Sequence, residues 1–365
     1  MSKTVVIAGA SGVVGQTALN HYLEQGWDVV ALSRRQPMTL SDRPFRHLSV
    51  DLRDGEATRS ALESVGPVDQ LVYAALYEKP GLIAGWREAD QMTTNRAMLA
   101  NTVEALAPSG LGHVVLLQGT KAYGVHLMPL RIPAKESQPR VEHENFYWLQ
   151  EDYLTSAAAE MAFGYTIFRP QFVFGDAIGS AMNLVALIGI YGSICAREGR
   201  PFGYPGGASY VAEGTDARLL AKAFMWSESS PAAYNQTFNI TNGDVFEWRD
   251  MWPALGAALG ANVGSDNPTS MAEFMPAHEA TWNEIVRDSG LRDLPLSAYL
   301  GESHFYADYA FGYDSRDRVS DHGTAPAFVS SVKLRRAGLV DVYDTQATFL
   351  EWFDILRQLK LLPPA

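Results

Sequence analysis

The sequence predicts an α/β protein: a parallel, doubly wound sheet followed by a smaller, mainly helical cap. Three observations carry that prediction. Short apolar runs alternate with helix-period segments through the first half, as parallel βαβ units require. A glycine-spaced turn joins the first run to the first helix. The chain has 365 residues, 47% hydrophobic and 19% charged, enough to bury a large core and too apolar for disorder.

In order, Thr4–Ala8 reads as a strand, Val13–Gln25 as a helix, Asp28–Leu32 and Arg46–Val50 as strands and Gln70–Ala75 as a fourth. Met92–Leu106 reads as a helix, His113–Gln118 as a fifth strand, Glu144–Phe163 as a helix and Tyr165–Phe168 as a further strand. These strands lack clean polar alternation, as expected when both faces are covered. The second half carries helices at Ala181–Ala196, Asp216–Ser227 and Phe246–Leu259, and a strand at Thr237–Ile240 that returns to the sheet. Gly, Pro and Ser cluster in loops at Pro201–Ser209 and Gly264–Ser270. The expected division is a cofactor domain over 1–175, with 210–245 returning to it, and a cap formed by 176–209 and 246–365.

The net charge of −12 argues against a nucleic-acid binder. Cys195 is the only cysteine, which excludes an internal disulfide framework and fits a cytoplasmic setting. Thr4–Ala8 is too short for a signal segment, and Ala181–Ala196 is shorter than a membrane span and reads as a buried helix.

Gly9, Gly12 and Gly15 give the spacing G-x-x-G-x-x-G between strand and helix. Glycines there permit a tight turn, and the helix N-terminus offers free N–H groups to a pyrophosphate, so a Rossmann-type dinucleotide site is expected. Gly9, Ser11, Gly12, Val13, Val14 and Gly15 form its turn. The second strand ends in Leu32-Ser33-Arg34-Arg35 with no carboxylate for a ribose 2′-OH. Two guanidiniums suit a 2′-phosphate, Ser33 can add a hydrogen bond, and NADPH is preferred to NADH. Asp51 and Leu52, after the third strand, are placed to hold the adenine edge, with a helix or turn cap as the alternative for Asp51.

A Tyr-x-x-x-Lys pair, which would sit on one helix face, is absent: Glu151 follows Tyr147 by four and Ala157 follows Tyr153. Lys121, just beyond the fifth strand, lies where a doubly wound sheet opens its ligand crevice.

With Gln118-Gly119-Thr120-Lys121, Asn145-Phe146-Tyr147-Trp148-Leu149-Gln150-Glu151-Asp152 and Arg169-Pro170-Gln171-Phe172-Val173-Phe174-Gly175, the chain resembles the progesterone 5β-reductase and iridoid synthase-like family, an atypical branch of the short-chain dehydrogenase/reductase superfamily. Asn242–Trp248 and Trp282–Val286 extend the likeness over nearly the whole chain. The resemblance implies that Tyr147 and Lys121 form the catalytic pair in an NADPH-dependent 1,4-reduction of activated C=C bonds. Tyr147 would stabilise the enolate oxygen, and Lys121 would bind the cofactor ribose and lower the tyrosine pKa. Ala74, Ala75, Gln118, Gly119, Pro170 and Val173 complete the expected cofactor contacts. Two positions depart from the family pattern, Ala122 for histidine and Trp148 for the second tyrosine, and are expected to reshape the pocket.

The aromatic stretch Ser303–Phe311 reads equally as a lid over the substrate and as core of the cap, with Phe305, Tyr306 and Tyr309 as substrate contacts in the first case. Met182 and Asn183 could border the same substrate. Glu142, Glu144, Glu151 and Asp152 read as a solvated acidic face, and no metal site is expected. The partner is therefore a small lipophilic enone or carbonyl compound, with no nucleic acid or membrane, and superfamily analogy adds a homodimer. The competing readings are a carbonyl (1,2-) reductase or a sugar epimerase/dehydratase-like enzyme on the same scaffold, and a non-catalytic NADP-sensing protein.

Overall fold

The computed structural model describes residues 2–80, 88–208, 210–313 and 326–365. Ser209, the end of one expected loop, lies outside them. The chain runs β1 (Thr4–Ala8), α1 (Val13–Glu24), β2 (Asp28–Leu32), β3 (Arg46–Leu48), α2 (Gly55–Leu62), β4 (Val68–Tyr73), α3 (Ala89–Leu106), β5 (Leu111–Leu117), α4 (Phe146–Met161) and β6 (Gly164–Pro170). It continues through β7 (Val173–Phe174), α5 (Leu184–Glu198), β8 (Val211–Ala212), β9 (Thr215–Asp216), α6 (Ala217–Ser229), β10 (Gln236–Ile240) and β11 (Phe246–Glu247). Helices then follow one another: α7 (Trp248–Ala258), α8 (Met271–Ala277), α9 (Glu279–Asp288), α10 (Leu296–Leu300), α11 (Ser303–Ala310), α12 (Val332–Arg336) and α13 (Thr345–Gln358).

Seven strands form one parallel sheet in the order β10-β6-β5-β4-β1-β2-β3. Alternation within a strand divides two buried faces rather than a wet and a dry one. Val5 and Ile7 of β1 join Leu19 of α1 and Leu220 and Phe224 of α6 in one core. Val6 and Ala8 join Leu99 and Val103 of α3 and Leu154 of α4 in the other. A third core fills the cap, where α5 packs against Trp252, Phe274, Trp282 and Phe353. Every residue from Leu184 to Cys195 is buried, so the apolar run is an interior helix. Among the described residues, no helix is long and apolar enough to cross a membrane.

The order reverses between β1 and β4. Ligands of such sheets bind beyond the carboxyl ends of the strands at that switch point. There Gly9 follows β1 and Ala74 follows β4. Helix α2 escapes the sequence reading because it is eight residues long and buries only Thr58 and Leu62, so its apolar stripe is too sparse for a period.

Candidate active site

A cleft of about 540 Å³ opens at the switch point and runs from the glycine turn to the cap. Gly9 takes φ +82°, and a Cβ on it would stand 2.7 Å from the Ala74 backbone. A Cβ on Gly15 would stand 2.2 Å from the Gly9 carbonyl oxygen. Gly15 does not line the cleft; its expected cofactor contact is corrected to close helix–turn packing. Gly12 caps α1 with no side-chain hydrogen bond. Val13 and Val14 line the cleft, and their first-turn amides have no intrahelical acceptor and no capping side chain. This cradle fits the phosphates of a nicotinamide dinucleotide.

Ser33, Arg34, Arg35, Asp51 and Leu52 line the adjoining rim. The Ser33 hydroxyl donates to the Arg35 carbonyl at 2.6 Å, so its expected bond to a phosphate is corrected: the proton holds the rim. Arg34 gives the fold its carbonyl, accepting from Ser49 Oγ at 3.3 Å. Arg35 donates to the Ile178 carbonyl at 3.3 Å and ties the rim to the cap. Partial burial and then Arg34 lower its pKa. The Asp51 carboxylate accepts from Arg53 Nε at 3.0 Å and from its backbone N–H at 3.1 Å, which makes it a turn cap as well as a rim residue. Arg53, which the sequence reading missed, lines the same rim.

Deeper in, Ala74, Ala75, Gln118, Gly119, Lys121, Tyr147, Pro170 and Val173 converge on one wall. Lys121 lies in a single 3₁₀ turn after β5, and Tyr147 in the first turn of α4. Asn145 bolts the two together. Its Oδ1 accepts the Tyr147 N–H at 3.0 Å and its Nδ2 donates to the Lys121 carbonyl at 3.0 Å. An Asn before a helical run is an N-cap signal, so this role is legible in the sequence alone. The Tyr147 hydroxyl hangs over Gly119, 3.3 Å from where a Cβ would be.

Burial, and then the Glu78 carboxylate, raise the Tyr147 pKa, while Arg169 acts to lower it. The phenol is thus held neutral, and Arg169 is a cation that acts against that rise. Burial brings Lys121 down to about 7, with Glu78 acting upward. Arg169, 5% exposed, donates to Gln118 Oε1 at 2.8 Å, the Tyr123 hydroxyl at 3.2 Å and Glu151 at 3.1 Å. Gln118 in turn donates to the Tyr147 carbonyl at 3.2 Å. Glu151, expected on a solvated face, is therefore half-buried in a network behind the tyrosine, because β6 brings Arg169 to it. Ala122 and Trp148 do not line the cleft. Trp148 lies on the back of α4 under Arg140 and Arg169, so neither departure reshapes the pocket directly.

At the cap end, Phe172, Met182, Tyr210, Tyr306 and Tyr309 form the wall. The Tyr306 phenol is raised by burial and then by its neighbours Tyr309, Tyr210 and Tyr147, which groups four phenols at this end. The aromatic stretch serves both expected roles: Tyr306 and Tyr309 face the cleft, and Phe311 packs on Trp248 at 5.1 Å in the cap core. Two expected substrate contacts are corrected. Phe305 is 39% exposed on the outer side of α11 and is not part of the cleft. Asn183 is 2% exposed, accepts from Val185 N–H at 3.3 Å and donates to the Gly175 and Ala177 carbonyls at 2.8 Å, so it is the N-cap of α5. Among the described residues, no group of three or more His, Cys, Asp or Glu is arranged to hold a metal ion.

A sequence model of the NAD dependent epimerase/dehydratase family matches residues 5–189. The chain is similar to an (S)-8-oxocitronellyl enol synthase of Camptotheca acuminata, 29% identical and covering 88% of this chain and 87% of the relative. It is also similar to a 3-oxo-Δ(4,5)-steroid 5-β-reductase of Arabidopsis thaliana, 28% identical over 99% of this chain and 93% of that one. Among solved structures, the UDP-glucose 4-epimerase of Thermus thermophilus in complex with NAD shares the fold. Its TM-score is 0.66 at 17% identity, over 97% of this chain and 99% of that one.

Proposed function

The chain belongs to the NAD dependent epimerase/dehydratase family, and from that premise we propose that it is an NADPH-dependent reductase of activated C=C bonds, acting on lipophilic enones or enals by 1,4-reduction. The observation that carries the reading is the meeting of Tyr147 and Lys121, from two separate elements, in a cleft continuous with the glycine turn. The names of the full-length relatives, a steroid 5-β-reductase and an enol synthase, support the same chemistry.

NADPH, when bound, supplies the hydride. Gly9–Val14 would hold its pyrophosphate, and Arg34 and Arg35 its 2′-phosphate. As the β-carbon of an enone is reduced, negative charge develops on the carbonyl oxygen. A neutral phenol in a half-buried site is the donor suited to that charge, and the raised pKa of Tyr147 keeps it neutral at physiological pH. Lys121 brings a positive charge to the same end of the cleft and suits a ribose hydroxyl. The aromatic wall of the cap excludes water and favours an apolar substrate.

The test is NADPH oxidation against enones, enals, saturated ketones and aldehydes, with the products identified. Saturated ketones from enones support the reading. Alcohols alone overturn it in favour of 1,2-reduction by the same phenol. In Tyr147→Phe, turnover falls by about 10²–10³ while NADPH affinity stays unchanged; full turnover in that variant overturns the donor role.

A further inference from the structure

Helix α3 aims two buried amides at the connection that follows β4. Asn95 accepts the Tyr77 N–H at 2.9 Å and donates to the Tyr77 carbonyl at 2.9 Å. One turn earlier, Gln91 accepts the Lys79 N–H at 3.2 Å and donates from Nε2 to the Glu78 carboxylate at 2.6 Å. Gln91 is 1% and Asn95 0% exposed. Buried amides demand partners, and these two find theirs in the three residues Tyr77, Glu78 and Lys79, apart from a bond that Asn95 donates back to its own helix at the Gln91 carbonyl. From α4, Gln150 donates to the Asn95 carbonyl at 3.0 Å. A chain of buried amides thus runs from Glu78 to the helix that carries Tyr147.

Glu78 lines the cleft together with Lys121 and Tyr147. Its charge favours the ammonium on Lys121 and the neutral phenol on Tyr147. Among the described residues, other charged or titratable groups near the pair include Arg169 from β6 (itself paired with Glu151), Tyr306 from α11, Lys79 next to Glu78 (paired with Glu88 and Asp90), Arg53 on the same cleft, and His143 and His126 beside the Asn145 cap.

We propose that Glu78 is a positioning residue: its carboxylate, held on the cleft wall by Gln91 and kept in register with the Tyr147 helix by Gln91, Asn95 and Gln150, is the counter-charge to the Lys121 ammonium in that cleft. The proposal rests on the reading of Tyr147 and Lys121 as the reacting pair. Its chemical use is the return of a proton. When Tyr147 gives its proton to the substrate oxygen, a phenolate remains. One Lys121 N–H bond breaks as the tyrosine O–H bond re-forms, and the neutral amine then takes a proton from a water molecule, whose hydroxide leaves to bulk solvent. A carboxylate in the same cleft favours that last step.

The test reads Lys121 directly in the cofactor-free enzyme. The chain has seven lysines, so ¹³C-lysine labelling gives few signals, and Lys121→Arg identifies the one of interest. In the wild type that signal titrates near pH 7. In Glu78→Gln its midpoint moves to lower pH by about one unit, roughly a tenfold loss of proton affinity. Glu78→Asp, which keeps the charge, recovers part of the shift. An unmoved Lys121 midpoint in folded Glu78→Gln overturns the proposal. A second readout follows turnover: the fall of kcat/KM on the alkaline side moves to lower pH together with the Lys121 midpoint. If no enone is turned over at all, the functional reading falls, while the lysine titration still decides the counter-ion.

Discussion

Substitution of Arg34 by alanine should weaken discrimination between the two dinucleotides without disturbing the fold. Arg34 contributes only its carbonyl to the rim, through Ser49, and among the described residues no hydrogen bond or ion pair of its guanidinium occurs. A hydrogen-bonded guanidinium–phosphate pair is worth about 1.5–3 kcal/mol. The rim is open to solvent, so the lower part of that range applies, about 1.5–2 kcal/mol, or roughly 13–30-fold in Kd. NADPH fluorescence titrated against wild type and Arg34→Ala should show that loss, with NADH affinity unchanged and the difference shrinking as salt is raised. Arg35→Ala should differ in kind. Arg35 also holds the Ile178 carbonyl, so its loss should weaken NADPH binding and lower Tm together. The two arginines are adjacent, and their effects should not add. Equal weakening of NADPH and NADH in Arg34→Ala, or no weakening of NADPH, would refute the assignment of the 2′-phosphate to this rim.

Three further outcomes follow from the geometry. Gly15→Ala forces a methyl to 2.2 Å from the Gly9 carbonyl oxygen, so the turn must shift; dinucleotide binding measured by calorimetry should be lost or severely weakened while far-UV dichroism is largely kept. Asn183→Ala removes the cap of α5 and two buried acceptor contacts, and should cost about 1–2 kcal/mol in urea unfolding with little change in KM; a large KM effect with unchanged stability would restore it to the substrate site. His113 is buried in the sheet, with Gln70 at 3.1 Å and Thr166 at 3.0 Å, and burial brings its pKa down to about 4. Its folded value lies below its unfolded one, so its contribution is complete above about pH 6.5 and is lost as pH falls toward 4, on the order of 3 kcal/mol. Tm against pH should therefore fall less steeply across that window in His113→Gln than in the wild type.

The sheet and the dinucleotide turn were legible because both rest on local signals. Thr4–Ala8 and Asp28–Leu32 are apolar runs closed by turn residues, and three glycines mark the crossing between them. The signature around Tyr147 was legible as a likeness, whereas its machinery was not. Glu151 looked like one carboxylate among several, since its partner Arg169 is 18 residues away and arrives only when β6 enters the sheet. Glu78 sits in a connection without periodicity, and nothing local distinguishes it from a solvated side chain; its meaning comes from Gln91, 13 residues on. At Asn183 the local signal is the right one: its place just before an apolar run marks a cap, and the structure uses it as the N-cap of α5.

Strand β10 closes the sheet from beyond the first cap segment, pairing Gln236–Ile240 with Thr166–Pro170. No single cut therefore yields a self-contained dinucleotide module. A fragment ending at Gly175 would leave β6 as a bare edge, open to strand addition by another copy, and would strip Leu220, Phe224 and Phe238 from one sheet face. Transplanting a cap from a relative to change what the enzyme accepts would need junctions on both sides of α5 and again after β10, with the Arg35 bond to Ile178 rebuilt across the first of them.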